Sequence, residues 1–186
     1  IKALGHDWVD GFCSVCGVEK PVADITPVGP AGEEKPAEDD KVELPFTDVK
    51  ENDWFYGDVV YAYENGLMNG VSATAFGPYT NTTRGMIVTI LWRMNGQTAP
   101  LHGCQFADVA DGSYYELAIA WAAENGIVNG VNETSFQPDA SITREQFAAI
   151  LYRYAKDYKG YNVSIGEDTN ILSYVDAFDI SEYAIP

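Results

Sequence analysis

The sequence predicts an all-α fold of tandem helix-loop-helix repeats that pack on one another, behind an irregular N-terminal segment. The first observation is an internal repeat: a shift of 60 residues superimposes one copy on the next, with no gap between residues 46 and 155. The second is that apolar residues within each copy recur at the spacing of an amphipathic helix. Because a two-helix unit cannot bury such an apolar stripe alone, neighbouring copies must cover each other.

The repeat consists of short motifs that recur at one fixed spacing. A third copy opens with Tyr174-Val175-Asp176-Ala177, offset by 68 residues from the second copy. The motifs that align between the first two copies are Phe46-Thr47-Asp48-Val49 with Phe106-Ala107-Asp108-Val109, Glu64-Asn65-Gly66 with Glu124-Asn125-Gly126, Asn69-Gly70-Val71 with Asn129-Gly130-Val131, and Thr83-Arg84 with Thr143-Arg144.

Each copy is predicted to form a helix, a loop and a second helix. The four helices are expected near residues 54–65, 83–95, 114–125 and 143–157. The predicted N-caps are Asp53, Ser113 with Glu116, and Thr143 with Gln146, and the predicted left-handed C-caps are Gly66 and Gly126. The predicted apolar stripes are Ile87, Ile90, Leu91 and Met94 in the second helix and Phe147, Ile150, Leu151 and Tyr154 in the fourth.

Composition divides the chain into five segments. Five of the nine prolines and a run of acidic residues fall between residues 21 and 45, which predicts an extended linker without regular structure over residues 21–44. The segments are residues 1–20 with a Cys-x-x-Cys motif, the linker 21–45, a first repeat 46–100, a second repeat 101–160, and a connection with the start of a third repeat at 161–186. The abrupt ends suggest a piece of a longer polypeptide.

The charge balance excludes several classes of partner. With 28 acidic and 11 basic side chains the net charge is -17, so nucleic acid and anionic lipid surfaces are repelled. No apolar run approaches the roughly 18 residues that a membrane span needs, so membrane insertion is not expected. Any anion that this protein binds must therefore be held by a local arrangement of positive groups.

The four arginines are the best candidates for such an arrangement. Arg84 and Arg144 follow the N-cap threonines Thr83 and Thr143, where free backbone N–H groups and a guanidinium form a corner suited to a carboxylate or phosphate. The alternative is that each arginine pairs with an acidic neighbour. Arg93 and Arg153 lie near helix C-terminal ends, where a cation favours the helix dipole, and are assigned a structural role.

Taken together, these motifs resemble S-layer homology repeats of bacterial cell-surface proteins. The resemblance implies a pseudo-threefold helical bundle that anchors a secreted protein to the cell wall, binding pyruvylated secondary cell-wall polysaccharide in grooves between repeats. It implies an extracellular, non-enzymatic module, and a further repeat supplied by a C-terminal continuation or by another chain. The residues that it places at the glycan are Trp54, Asn69, Gly70, Thr83, Arg84, Tyr114, Asn129, Gly130, Thr143 and Arg144.

Several alternatives stay open. Trp54 and Tyr114 could equally be core residues, and the grooves could hold a peptide or a neighbouring subunit, which would make the module a protein–protein scaffold. Asp48, Asp108 and Asp176 are interpreted as turn-making carboxylates before the first helix of each copy, not as catalytic groups.

The two copies differ at the start of their second helices. Thr143-Arg144-Glu145-Gln146 can form a reciprocal cap, whereas Thr83-Arg84-Gly85-Met86 cannot, and its glycine should loosen the first turn. We therefore expect Arg144 to contribute more to glycan affinity than Arg84, with neither needed for folding.

The N-terminal segment carries a separate candidate site. His6, Cys13 and Cys16 have the spacing of one half of a zinc ribbon and would supply three of four ligands to a zinc ion. The alternatives are a Cys13–Cys16 disulfide or two free thiols.

Overall fold

The structure, a computed structural model, describes residues 43–164 and 173–185, together with the backbone of two short N-terminal strands. The chain divides into two compact units, Ile1–Asp40 and Lys41–Pro186. In the first unit, β1 (Trp8–Val9) and β2 (Phe12–Cys13) form an antiparallel pair. Except for its last two residues, the predicted linker over residues 21–44 lies outside the described residues.

The second unit is helical, as predicted. Its helices are α1 (Tyr56–Glu64), α2 (Arg84–Met94), α3 (Glu116–Glu124) and α4 (Arg144–Arg153), with a π-helical continuation of α4 at Tyr154–Tyr158 and 3-10 turns at Ala177–Asp179 and Glu182–Ala184. In the described ranges no helix is long and apolar enough to cross a bilayer.

The predicted caps are confirmed for α2 and α4 and wrong for α1 and α3. The Thr83 and Thr143 hydroxyls accept the capping hydrogen bonds, and a full capping box forms only on α4. Neither α1 nor α3 has a side-chain cap. The Asp53 carboxylate instead accepts the N–H of Lys50 at 2.7 Å, and ahead of α3 the Glu116 carboxylate accepts the N–H of Gly112 at 2.6 Å. Each carboxylate bonds a backbone N–H of the turn before its helix, and both helices begin two residues later than predicted.

The repeat is visible in the backbone hydrogen bonds. The N–H of Thr47 donates to the carbonyl of Thr74, and 60 residues later Ala107 donates to Thr134, both at 2.8 Å. Gly66 and Gly126 end α1 and α3 with φ of 65° and 67°, as their predicted role requires. The two copies therefore share one local fold and not only a set of motifs.

The main core lies where α2 of the first repeat packs on α3 of the second. The buried apolar side chains of α2 are Val88, Leu91 and Trp92, and the predicted stripe is wrong for Met94, which is 54% exposed. In α4 the predicted stripe is confirmed for Ile150 and Tyr154, whereas Phe147 and Leu151 lie exposed.

The start of the third copy packs on the N-terminal end of α4. Glu145 accepts hydrogen bonds from the N–H of Ser181 at 2.9 Å and from the hydroxyl of Tyr183 at 2.8 Å. Tyr183 corresponds to Tyr115, which packs on the matching residue of α2, Gly85. The two junctions are therefore built at equivalent positions, but with different contacts.

Candidate functional site

A groove of about 430 Å³ lies between the first repeat and the start of the second. One wall is the loop between α1 and α2, which contributes Asn69 and Gly70, and the other wall is α2 itself. Tyr114, the residue that precedes the buried Tyr115, closes one side and is 54% exposed. The structure thus brings together three of the residues that the sequence placed at the glycan.

The loop wall requires glycine at position 70. Gly70 adopts φ of 78°, and a Cβ atom there would lie 2.6 Å from both the carbonyl oxygen of Ala75 and a ring carbon of Phe46. The ring of Phe46 in turn packs on Phe76, at a centroid distance of 5.4 Å. The groove-lining backbone is therefore held directly against the core of the first repeat.

Asp48 fixes the same loop from its other end. Its carboxylate accepts the N–H groups of Phe76 and Gly77, both at 2.8 Å. These two bonds, the Phe76 bond first, lower the pKa of Asp48 below its ordinary value. The interpretation of this aspartate as a local turn-maker was wrong, because its partners lie 28 and 29 residues away.

Asp108 makes the same connection in the second repeat. Its carboxylate accepts the N–H groups of Phe136 and Gln137 at 2.8 Å and the hydroxyl of Ser135 at 2.6 Å. Partial burial would by itself raise the pKa of Asp108, but these three hydrogen bonds outweigh it and the pKa is lowered. In both repeats the loop geometry therefore depends on an ionised aspartate.

Arg84 lies beneath the second repeat's loop and not at the groove surface. It is only 6% exposed. Its Nε donates to the carbonyl of Phe136 at 2.9 Å, and Nη2 donates to the carbonyl of Asn129 at 3.3 Å. The guanidinium also lies 4.5 Å from the ring centre of Phe136, and burial lowers its pKa. This arginine joins the two repeats.

Backbone hydrogen bonds to the second repeat hold the first turn of α2, which the sequence predicted to be loose. The N–H groups of Arg84 and Gly85 donate to the carbonyls of Ala140 and Pro138, at 3.0 and 2.8 Å. A Cβ on Gly85 would lie 3.0 Å from a ring carbon of Tyr115 and 3.1 Å from the Pro138 carbonyl oxygen. The glycine therefore permits close contact between the repeats, and the N–H groups expected to face an anion are already bonded.

Arg144 occupies the same motif position in a different environment. It is exposed and lines a second cavity, of about 470 Å³, together with Thr143 and Phe147. The N–H of Ile142 donates to the carbonyl of Thr82 at 3.0 Å, which joins this cavity to the first repeat. That Arg144 contributes more than Arg84 to glycan affinity stays a prediction, but its basis is now burial and not disorder.

The remaining predicted glycan residues are dispersed. Trp54, the counterpart of Tyr114, is 86% exposed and contacts the ring of Phe55 edge-on at 5.4 Å, outside both cavities. Asn129 offers its carbonyl to Arg84. A Cβ on Gly130 would lie 2.7 Å from the ring of Phe106, as the Cβ at Gly70 would from Phe46.

Sequence reasoning missed the arginine that lines the groove. Arg93, assigned to structure, lines the groove beside Met86, Thr89 and Ile90. The spacing of residues 86, 89, 90 and 93 could have indicated this position, because it places them side by side on one helical face.

The predicted metal ligands fall largely outside the described residues. Those residues include only the backbone of Cys13, in β2, and neither His6 nor Cys16. Zinc binding therefore stays a prediction. We expect about one zinc ion per chain by elemental analysis, lost in Cys13→Ser; an unchanged metal content in that variant would contradict it.

Comparison with known proteins identifies the repeats. The S-layer homology domain family matches residues 45–85 and 105–148. The chain is 35% identical over 141 residues to an endoglucanase of Bacillus sp. (strain KSM-635), covering 76% of this chain and 14% of that protein. It is 34% identical over 122 residues to the surface-layer 125 kDa protein of Lysinibacillus sphaericus, covering 60% and 10% of the two chains.

A third relative is the cellulosome-anchoring protein of Acetivibrio thermocellus, 28% identical over 92 residues, which cover 47% of this chain and 21% of that protein. The chain thus spans between 10% and 21% of the length of these three relatives. The family match covers both loops, Arg84 and Arg144. The two repeats of this chain are therefore S-layer homology domain repeats, which are non-catalytic modules of the bacterial cell surface.

Proposed function

We propose that this chain anchors a secreted protein to the bacterial cell wall by binding secondary cell-wall polysaccharide, with pyruvylated sugars as the recognised units. The observation that carries the proposal is the groove between the repeats. Its aromatic side chain, Tyr114, offers a face for sugar stacking, and Asn69 and Gly70 offer amide and backbone groups for hydroxyls.

The surface-layer and cellulosome-anchoring relatives support attachment to the outer surface of the cell. The relative named as an endoglucanase carries its matching segment within a much longer protein. The anchored activity of the whole protein therefore belongs to regions outside the repeats, and the repeats supply the attachment.

Sedimentation with purified wall sacculi tests the proposal. The chain should co-sediment with untreated sacculi and fail to do so after mild-acid removal of pyruvyl groups. Tyr114→Ala should weaken the binding about tenfold, because a partly exposed aromatic side chain that lines a binding groove carries a large share of the contact.

Tyr61→Ala is the matched control, since Tyr61 is 63% exposed on α1 and lies outside the groove. It should bind as the parent does. Sedimentation that is unaffected by mild-acid treatment of the wall and by Tyr114→Ala would reject the groove as the glycan site.

A further inference from the structure

We propose that Arg93 binds the acidic group of the glycan in this groove, a role that the motif position would give to Arg84. The ligand class is an acidic sugar, one that carries a carboxylate or phosphate substituent. This inference rests on the proposed function, because it names the group of the polysaccharide that the groove recognises.

The side chain of Arg93 lies at the groove. It lies in the last turn of α2 and is half-buried, and its Nη1 donates to the carbonyl of Leu67 at 3.0 Å. Leu67 belongs to the opposite wall, so this bond holds the guanidinium across the groove. A guanidinium has five N–H donors, and within the described residues the Leu67 carbonyl is its only hydrogen-bond acceptor. The guanidinium of Arg93 therefore retains N–H donors that can bond to a ligand.

The described lining of the groove carries a positive charge, in contrast to the chain as a whole. Among the residues that the structure describes, Arg93 is the only charged one that lines the groove, whereas the chain as a whole carries 28 acidic side chains and a net charge of -17. The other polar side chains of the groove, such as Asn69 and Thr80, are neutral. A single cation with no carboxylate among the described residues of the groove, in a strongly acidic protein, matches a ligand that carries negative charge.

Arg84 is buried and already hydrogen-bonded within the interface between the repeats, unlike Arg93. Two of its nitrogens are bonded to the carbonyls of Phe136 and Asn129, and the side chain is buried. Turning it toward a ligand would leave both carbonyls without their donor inside the interface between the repeats. Arg93 meets no such cost, because its guanidinium already lies at the groove.

Binding measurements on purified wall polysaccharide test this. The polysaccharide is used native, after mild-acid removal of pyruvyl groups, and after enzymatic removal of phosphate. The parent should bind the native form at least tenfold more tightly than one of the two stripped forms, and that form identifies the acidic substituent. Arg93→Gln should bind the native polysaccharide only as well as the parent binds that stripped form.

Two further variants sharpen the comparison. Arg93→Lys keeps the charge but not the planar fork, so it should retain part of the preference. Lys50→Gln removes the same charge from an exposed position outside the groove and should bind as the parent does. Circular dichroism of each variant serves as the control for folding.

The outcomes separate the two proposals. If Arg93→Gln keeps the parent's full preference for the acidic glycan, Arg93 is not its ligand, while anchoring stands. If the parent binds all three forms equally, the groove recognises no acidic group and the inference fails, with glycan binding itself intact. If the parent binds none of them, the proposed function fails and the inference with it.

Discussion

At the scale of single residues, one motif position serves two purposes. Arg84 and Arg144 each follow the capping threonine of a second helix, yet Arg84 is 6% exposed and Arg144 lies exposed to solvent. The difference lies in what each meets across its junction. Arg84 meets the carbonyls of Phe136 and Asn129, and those contacts make it a structural residue of the interface.

This difference predicts opposite effects on stability. Arg84→Met should lower the free energy of unfolding by about 2–4 kcal/mol, because two partly buried carbonyls lose their donor. Arg144→Met, at an exposed position, should change it by less than about 0.5 kcal/mol. Urea titrations followed by circular dichroism measure both values. Equal effects would show that Arg84 does not join the repeats.

At the scale of elements, the start of α2 shows how packing overrides helix propensity. Gly85 would be a weak point in an isolated helix, and the sequence suggested that it loosens the first turn. In the fold, the glycine lets the backbone approach Tyr115 and the carbonyl of Pro138. The contact between α2 and α3 therefore depends on the absence of a side chain there.

Alanine at two glycines should therefore act with opposite signs. Gly85→Ala should destabilise the fold by about 1–3 kcal/mol, because its Cβ meets Tyr115 and Pro138 at 3.0 and 3.1 Å. Gly57→Ala, in α1 with no atom within 4 Å of the new Cβ, should stabilise it by about 0.5–1 kcal/mol. Thermal denaturation of both variants gives the signs, and stabilisation by Gly85→Ala would contradict the packing argument.

The loops between helices should respond to acid. Because the folded state lowers the pKa of Asp108, its carboxylate stabilises the fold fully above its ordinary pKa of 3.8, and this contribution is lost as the pH falls below that value. Asp108→Asn should therefore cost about 1 kcal/mol at pH 7, the low end for a charged hydrogen-bond acceptor because the residue is solvent-exposed.

The same variant should cost progressively less as the pH falls below about 4. Urea titrations of parent and variant between pH 7 and pH 2.5 measure this convergence. A difference in stability that stays constant over that range would mean that the charge of Asp108 does not hold the loop.

At the scale of the molecule, the repeat and its four helices could be predicted because both are local properties of the chain. Fixed motif spacing established the copies, and the Thr143–Gln146 pair correctly started α4. The environments of Arg84 and Arg93 could not be predicted, because they depend on contacts between segments 26 to 52 residues apart. Helix periodicity alone does not say which face a neighbouring loop will cover.

The overall charge should govern how the proposed glycan arrives. A net charge of -17 repels an acidic polysaccharide at long range, whereas Arg93 acts only at contact. Raising the salt concentration from about 0.01 M to about 0.15 M shortens the screening length from about 30 Å to about 8 Å. The association rate should therefore rise with salt, as measured by stopped-flow fluorescence. A rate that falls with salt would indicate that local positive charge dominates the approach.

The two repeat junctions also limit which copies can become neighbours during folding. Gly85 lies against the ring of Tyr115, where a Cβ would come within 3.0 Å of a ring carbon, whereas Glu145 accepts a hydrogen bond from the hydroxyl of Tyr183. If α4 met the Tyr115 surface in place of α2, the Glu145 side chain would collide with that ring. If α2 met the Tyr183 surface, its glycine would offer no acceptor for the hydroxyl. Although the repeats share one fold, the contacts at their junctions thereby disfavour packing of the repeats in the wrong order.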